Sequence, residues 1–565
     1  MINKNIAGRA VSFDGFAGMD ASTPFGKGKT FSLRNFRLLP DGSIEKREGY
    51  RHLATLPDAA RAVSVWQEGG EQVLLCVAGS YLCRVTEGGE VASASVFSAT
   101  EGKALFLRYG GALYILDGDR LYRYEGGVSV TAGEAYIPQL GFEWACGSAD
   151  PGAEYEAQNL LSRRAYITYK TKDVYIYNCY FDRKVASVDE VYIGTDKISP
   201  ANYTLEDGIK LVFYPGVLAN SRTLTVHVTL AGDSELLSAT GAFLFEGLEA
   251  DTLFLYGGDK GDTVYSGHAA ARATDKTFPL YFPSSMARAF PDGGRVNAVQ
   301  RLGRRLLVFS EKGIYISKEE ADAGGALEFM MLSKSVGCSS PEGLLVLSDD
   351  EVLSVDESGI LRITIDPYME RDPIVKRLSD TARTAFGVGF LTGARPCYLR
   401  TEDEVWFADP SGAGEVFVYR VDGGYWYVYD GIRADQFLSC FGKVLFLEGQ
   451  FVNLFDEGCK TDAASYGETE IAARFKSHYV DFGAPEADKR LAGLLVLAAL
   501  DGGALEVRLS DGGYLAEFTV EGGAYPTFPY LYEKHLRSGR FRFASLELRA
   551  AGAARQRIFG AKVFV

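Results

Sequence analysis

Histidine, cysteine and paired carboxylates are the residues that could carry chemistry in this chain, and their spacing argues against it. The five histidines are His52, His227, His268, His478 and His535. None stands in an HExxH pattern, and His227 (LTVHVTL) and His478 (FKSHYVDF) sit inside strand-like runs that read as packing or solvent-facing positions. The eight cysteines, Cys76, Cys83, Cys146, Cys179, Cys338, Cys397, Cys440 and Cys459, form no CxxC pair and no metal-ligand spacing with histidine. Most lie in apolar runs such as VLLCV and YLCRV, where a reduced cysteine acts as a small hydrophobe. Glycosidic chemistry needs two placed carboxylates. The acidic triplets Glu402-Asp403-Glu404 and Asp349-Asp350-Glu351 fall in hairpin turns, where solvated tips account for them. No GxSxG, Walker-type loop, GxGxxG after a strand, or DxDxDG calcium loop is present. GGDKGD (257–262) precedes a strand rather than a helix, so it does not cradle phosphate. We therefore expect no catalytic residue, no cofactor and no metal.

The elements around these residues are strands. A chain of 565 residues with 64 Gly, 32 Tyr and 35 Phe favours many short strands and tight turns, spread over several units. LLCVAGSYLCRVTEGG (74–89) and LYILDGDRLYRYEGG (113–127) repeat one hairpin, with turn glycines Gly79 and Gly118 placed 39 residues apart. LLVFSEKGIYIS (306–317) and LLVLSDDEVLSV (344–355) repeat it with a shift of 38, and CYLRTEDEVWFAD (397–409) and VLFLEGQFVNLFD (444–456) continue it. That spacing is one four-stranded propeller blade, so the chain reads as an all-β protein built on a β-propeller of about six to eight blades. The Ser-x-Asp-x-Gly-x-Thr-Trp turn of carbohydrate-cleaving propellers precedes none of Trp66, Trp144, Trp406 and Trp426.

The expected boundaries are an N-terminal arm over 1–50, propeller over 51–139, an inserted small β-sandwich over 140–255, propeller again over 256–466, and a C-terminal β-sandwich over 467–565. In the insertion, strands are expected at Val191–Ile193, Lys210–Phe213 and Thr223–Thr229. One short helix is expected after Asp372-Pro373, with Asp as cap and Pro at the first helical position. No 20-residue apolar span and no signal-like stretch in MINKNIAGRA is visible, which predicts a soluble chain made in the cytoplasm, with no membrane-spanning segment.

Charge is unevenly spread. Net charge is −15, residues 1–50 hold 8 basic against 5 acidic side chains, residues 467–565 hold 13 against 12, and residues 51–466 hold 38 against 57. So acidic a body does not grip phosphates, but it suits a surface past which DNA slides.

Four segments give this order of units a meaning. GFAGMDAS (15–22) with NFRLLPDGSIEKREGY (35–50) resembles the start of tail proteins of short-tailed bacteriophages. DTVYSGHAAA…FPLYFPSSMARAFPDGGRVNAVQRLGRRLLVFSEKGIYIS (262–317) and YVDFGAPEADKRLAGLLV (479–496) look like later segments of the same proteins. DEVYIGTDKISPANYTLEDGIKLVFYPG (189–216) resembles a small β module of phage structural proteins. One departure is Glu48, where such proteins often carry Pro. The resemblance is to propeller-containing tail nozzle and head–tail stabilisation (hub) proteins. It implies a non-enzymatic virion protein forming a ring, a hexamer, below portal and adaptor, with the genome's double-stranded DNA passing through the channel without sequence-specific binding. On that reading Asn35, Arg37, Lys46 and Arg47 are candidate subunit contacts, with solvent as the other fate of Lys46 and Arg47. The ring lumen should be net negative. Two other readings stand beside it: a host-surface carbohydrate-binding or -cleaving propeller, and a bacterial propeller scaffold for protein complexes.

Overall fold

The computed structural model describes residues 9–565 except 15, 17, 26–29, 151, 172–176, 219–221, 233–235, 247–250, 319–327, 366–372, 413, 465–466 and 523–529. Its elements are nearly all strands, and the alternation of apolar and polar residues within them sets which face is buried. Among the described residues no helix is long and apolar enough to cross a membrane.

Seven antiparallel sheets succeed one another as propeller blades. The first is Ala60–Glu68, Glu71–Ala78, Tyr81–Val85 and Val91–Ser95, and the second is Leu105–Tyr109, Ala112–Leu116, Leu121–Gly126 and Ser129–Gly133. The third spans 241–289, the fourth 296–333, the fifth 344–377 and the sixth 395–430. The seventh takes three strands from 436–455 and its fourth, Tyr50–Thr55, from the chain's beginning. Seven hydrophobic clusters sit between neighbouring blades, and the last joins Leu438 and Leu445 of blade seven to Leu74 and Cys76 of blade one. First strands of neighbouring blades pack on each other, as Leu105–Tyr109 does on Ala60–Glu68 and Gly241–Phe245, and Arg395–Leu399 on Leu344–Ser348 and Gln436–Cys440. Those first strands therefore line the central axis. Closing the last blade with an early strand removes the free sheet edge an open propeller would expose.

Between blades two and three the chain leaves the propeller. Gln139–Ala145, Arg164–Lys170, Thr223–Leu230, Val185–Ile193 and Asp196–Lys197 form one sheet, and Asn178–Tyr180, Lys210–Phe213 and Tyr203–Glu206 a second. Between the two lies their own core, with Tyr169, Cys179, Leu211 and Val226 fully buried. The expected inserted sandwich is present, but its boundary at 255 is corrected. Gly241–Phe245 and Thr252–Tyr256 pair with Thr263–Ala269 and are the first strands of blade three.

The C-terminal sandwich is built around both chain ends. One sheet orders Phe36–Leu38, Ile44–Lys46, Arg557–Phe564, Gly493–Ala499 and Tyr530–His535, with Ala10–Asp14 also on Arg557–Phe564. The other runs Thr30–Arg34, Ala473–Ser477, Ser545–Ala550, Ala504–Ser510 and Ala516–Glu521, and Thr30–Arg34 joins it to blade six alongside Tyr425–Asp430. Val496, Ile558 and Val563 from one sheet meet Phe475, Val507 and Leu548 from the other in a shared core. The arm is thus part of this sandwich as well as a lead-in to the propeller, which corrects its reading as a separate unit.

The expected helix does not appear among the described residues. Asp372 lies outside the described residues, and Ile374–Arg377 is the outer strand of blade five, paired with Gly359–Thr364. The ladder's hydrogen bonds prevail over a cap signal worth about 1 kcal/mol.

Candidate functional site

The arm hairpin forms because Asp41 accepts from the backbone N and the Oγ of Ser43 while Gly42 takes φ +80° at the turn. Its strands bring Arg37 opposite Glu45, and the chain then bends so that Asn35 and Arg47 meet. The Arg47 guanidinium has five N–H donors, and five acceptors surround it. These are Asn35 Oδ1 (2.9 Å), Glu48 O (2.9 Å), Asp430 O (3.0 Å) and both oxygens of Asp462 (2.8 and 2.5 Å). Asn35 holds the left-handed φ of +53° and uses its amide fully. Its Oδ1 also accepts from Asp430 N (2.9 Å), and its Nδ2 donates to Ala472 O (2.9 Å) and to Asp430 Oδ1. Lys46 Nζ donates to Gly552 O.

Asn35, Lys46 and Arg47 are 2%, 5% and 4% exposed. They are satisfied inside their own chain and offer no surface to another subunit, which corrects their assignment as subunit contacts. Arg37 keeps a third of its side chain exposed, 3.8 Å from Glu45, and is the one of the four that still reaches the surface. Together these residues join four parts: arm, blade six through Asp430, the 461–464 strand through Asp462, and the sandwich through Ala472 and Gly552. Gly49 stands where a Cβ would lie 1.9 Å from Thr461 O, so the exit bend needs glycine for close approach.

Burial governs the ionisation of this junction. It raises Asp462 despite Arg47, and it pushes Lys46 down to about 8. It also raises Glu404, which accepts from Trp406 Nε1 (2.9 Å) and from the Tyr427 hydroxyl, 3.8 Å from Arg420. Glu404 is 4% exposed, and Glu351 pairs at 2.6 Å with Arg362. The last residue of each acidic triplet therefore opens a strand and turns inward, which corrects their reading as solvated turn tips. Each of these charges has a hydrogen-bond or ion-pair partner inside the chain, so the junction holds parts together.

A second constellation links blades two and five across the propeller axis. Lys103, just before the first strand of blade two, reaches Glu342, just before the first strand of blade five, at 2.5 Å. These blades stand three apart in a ring of seven, so the ion pair spans the axis. Burial raises Glu342, but Lys103 and then Arg395 outweigh it and its pKa is lowered. At the same end Arg61 binds the carbonyls of Gly79, Ala99, Glu101 and Asp117 at 2.9–3.3 Å.

The histidines take packing and surface places. His227 lies between Tyr166 and Tyr192 (5.5 and 6.0 Å between centroids), His268 meets Tyr281, His52 meets Thr55, His478 is buried against Asp20 O, and His535 is 81% exposed. Among the described residues no group of three or more His, Cys, Asp or Glu is arranged to hold a metal. Two organising residues escaped sequence reasoning. Lys489 is buried with Nζ donating to Ala484 O, Ala487 O and Arg542 O at 2.5–2.9 Å, and Asn159, between the insertion's first two strands, ties it to the propeller by donating to Tyr136 O and Leu280 O and accepting from Phe282 N. Lys489 stands in the charged run EADKR and so read as solvated, and nothing marked Asn159.

No family model matches the chain, and no curated protein matches it. Solved structures do match at low identity. A mitotic checkpoint complex chain is 7% identical, with 71% of this chain and 93% of that chain covered and a TM-score of 0.31. BBS1N, solved in complex with ARL6DN, is 10% identical, with 73% and 99% covered and a TM-score of 0.27. An exo-β-1,3-galactanase from Phanerochaete chrysosporium is 9% identical, with 57% and 95% covered and a TM-score of 0.22. None carries a functional argument here.

Proposed function

We propose that this chain is a non-enzymatic virion protein, a ring-forming tail nozzle or hub below the portal and adaptor of a short-tailed phage. It retains the genome and then passes its double-stranded DNA without sequence-specific contact. The observation that carries this reading is the weld. The stretch that joins the tail-like motifs 15–22 and 35–50 touches a third such segment, 479–496, through the Phe25–Tyr479 bridge, with Tyr479 N donating to Pro24 O at 3.0 Å. Together with the buried Arg47 network they fix propeller and sandwich as one plate. Rigid plates with different edges tile head to tail, and such contacts close into a ring when the rotation between copies is right. Within this reading the genome's path lies between copies, because a side-chain ion pair bridges the propeller's own axis. Six copies is the expected ring order, and the acidic body is the expected lumen.

Imaging of the protein in its particle tests this. A closed ring beneath the portal with a net-negative lumen is expected; a lone copy in the mature virion, or a basic lumen, would overturn it.

A second reading has one observation in its favour. Phe142 and Tyr155, 54% and 44% exposed, hold their rings 5.4 Å apart at the edge of the insertion, and Arg272 sits 5.0 Å over Tyr155. Exposed aromatic faces of this kind stack on sugar rings at a host surface. Binding on a glycan array that Phe142→Ala abolishes would favour this reading over the tail ring.

A further inference from the structure

The two sheets of the inserted domain meet at a pair of sulfurs. Cys146 follows the strand Gln139–Ala145 in the five-stranded sheet, and Cys179 is the central residue of Asn178–Tyr180 in the three-stranded one. Their Sγ atoms are 2.9 Å apart. Both are free thiols, 6% and 0% exposed. The backbone is already held in place on either side, with Gly147 N donating to Asn178 O at 2.8 Å and Cys146 N to Lys170 O at 3.5 Å. Tyr169 and Trp144 pack around them within the same core. Bond formation at the usual S–S separation needs an approach of less than about 1 Å.

We propose that Cys146 and Cys179 are an oxidative modification site, closing to a disulfide that joins the two sheets of the inserted domain. The oxidant is a low-molecular-weight disulfide. One cysteine, as thiolate, attacks it, forming a mixed disulfide and releasing one small thiol. The second cysteine, as thiolate, attacks the protein sulfur of that mixed disulfide and releases the other small thiol. Two protein thiols and one small disulfide thus become one protein disulfide and two small thiols, and the two protons of the protein thiols end on the small ones. Burial keeps the Cys179 thiol well above the ordinary range, so the folded domain reacts slowly and exchange follows opening of the exposed turn after Cys146. Closure fits a protein made under reducing conditions and exposed to oxidising ones afterwards. The cross-link shortens the unfolded chain's reach over a separation of 33 residues and so stabilises the folded domain.

The test uses the purified full chain, incubated natively with oxidised or reduced glutathione, then denatured, alkylated and digested with trypsin. After oxidation the expected result is six alkylated cysteines of the eight, and tryptic peptides 124–163 and 173–183 joined. Dithiothreitol should restore eight, and the oxidised protein should melt at a higher temperature than the reduced one. Eight alkylated cysteines after prolonged oxidation would overturn the proposal. So would a bridge between other residues, such as the directly paired cross-strand neighbours Cys76 and Cys83. The wild-type chain alone decides the question. Cys146→Ala adds a control that should lose the glutathione-dependent rise in melting temperature.

Discussion

Replacing Arg47 with Met keeps the side chain's length and apolar stem while removing five donors at once. Asp462 loses both of its bidentate bonds, Glu48 O and Asp430 O lose a donor each, and Asn35 Oδ1 is left with Asp430 N alone. The guanidinium also leaves its place 5.7 Å over the Tyr429 ring. Removing one partner of a buried ion pair costs about 3–5 kcal/mol, because the other charge stays buried and unpaired. With a urea slope of about 6 kcal/mol per molar, above the small-protein range because the slope grows with the surface exposed, the unfolding midpoint should fall by about 0.5 M or more. Tryptophan fluorescence reads this well, since Trp406 in blade six meets Tyr429 edge to face at 5.2 Å beside the network. A second variant, Arg47→Met with Asp462→Leu, removes the stranded carboxylate and should recover at least about 2 kcal/mol. The pH dependence has a defined sign. Asp462 has its folded pKa raised above 3.8, so protonation favours the folded state in acid, and the deficit of Arg47→Met should shrink as pH falls through that raised pKa. A midpoint shift below about 0.3 M, or a double variant as damaged as the sum of the singles, would refute the idea that this network welds the units.

Three other outcomes are expected. Glu68 accepts from Gly127 N (2.7 Å), Tyr124 OH (3.0 Å) and Arg84 Nε (2.6 Å), and its pKa is lowered by the Gly127 bond first. Its contribution is therefore present above the usual carboxylate value of 4.5 and lost as pH falls through the lower folded value, so Glu68→Gln should cost roughly 1 kcal/mol at pH 7 and progressively less as acid protonates the wild-type carboxylate in thermal melts. Gly49→Ala places a Cβ 1.9 Å from Thr461 O, and urea melts should show a loss of about 2 kcal/mol or more, whereas Gly442→Ala meets no atom and pays only for its φ of +68°. Lys103→Met removes a partly exposed pair and should cost at most about 1 kcal/mol in 0.1 M salt, a difference that fades in 1 M salt.

The blades were legible because hairpins write their turns locally. LLVFSEKGIYIS and VLFLEGQFVNLFD carry strand, polar turn and strand within a dozen residues, and each is a blade hairpin in the structure. Blade three escaped because GAFLF and TLFLY follow the insertion's strands without a break in strand-like composition, so they read as more of the insertion. The arm's destination was hidden for a different reason. Thr30–Arg34 pairs with Ala473–Ser477, and nothing in either segment encodes a partner more than 400 residues away. The same distance hid the role of Arg47, since a basic residue in a short polar stretch looks solvated until Asp430 and Asp462 arrive from the far end of the chain. Glu404 looked like a turn tip because the residues that hold it, Trp406, Arg420 and Tyr427, are brought to it by ladder register. The proximity of Cys146 and Cys179 depends on two sheets folding over each other, which no spacing rule anticipates.

The strand Ala10–Asp14 pairs with Arg557–Phe564, and Tyr50–Thr55 completes a blade begun by Gln436–Cys440. On a ribosome adding about 5–20 residues per second, those early strands wait on the order of a minute for partners that do not yet exist. Blades one to six can form as they emerge, each from its own hairpins, but the ring stays open until Phe451–Phe455 is made, and Ala10–Asp14 stays bare until Arg557–Phe564 is made. Such late, long-range pairing is slow and leaves unpaired edges exposed meanwhile. Truncation near the C-terminus should therefore do more than delete a sandwich strand. It should leave the beginning of the chain without a partner and send the product to aggregates or proteases.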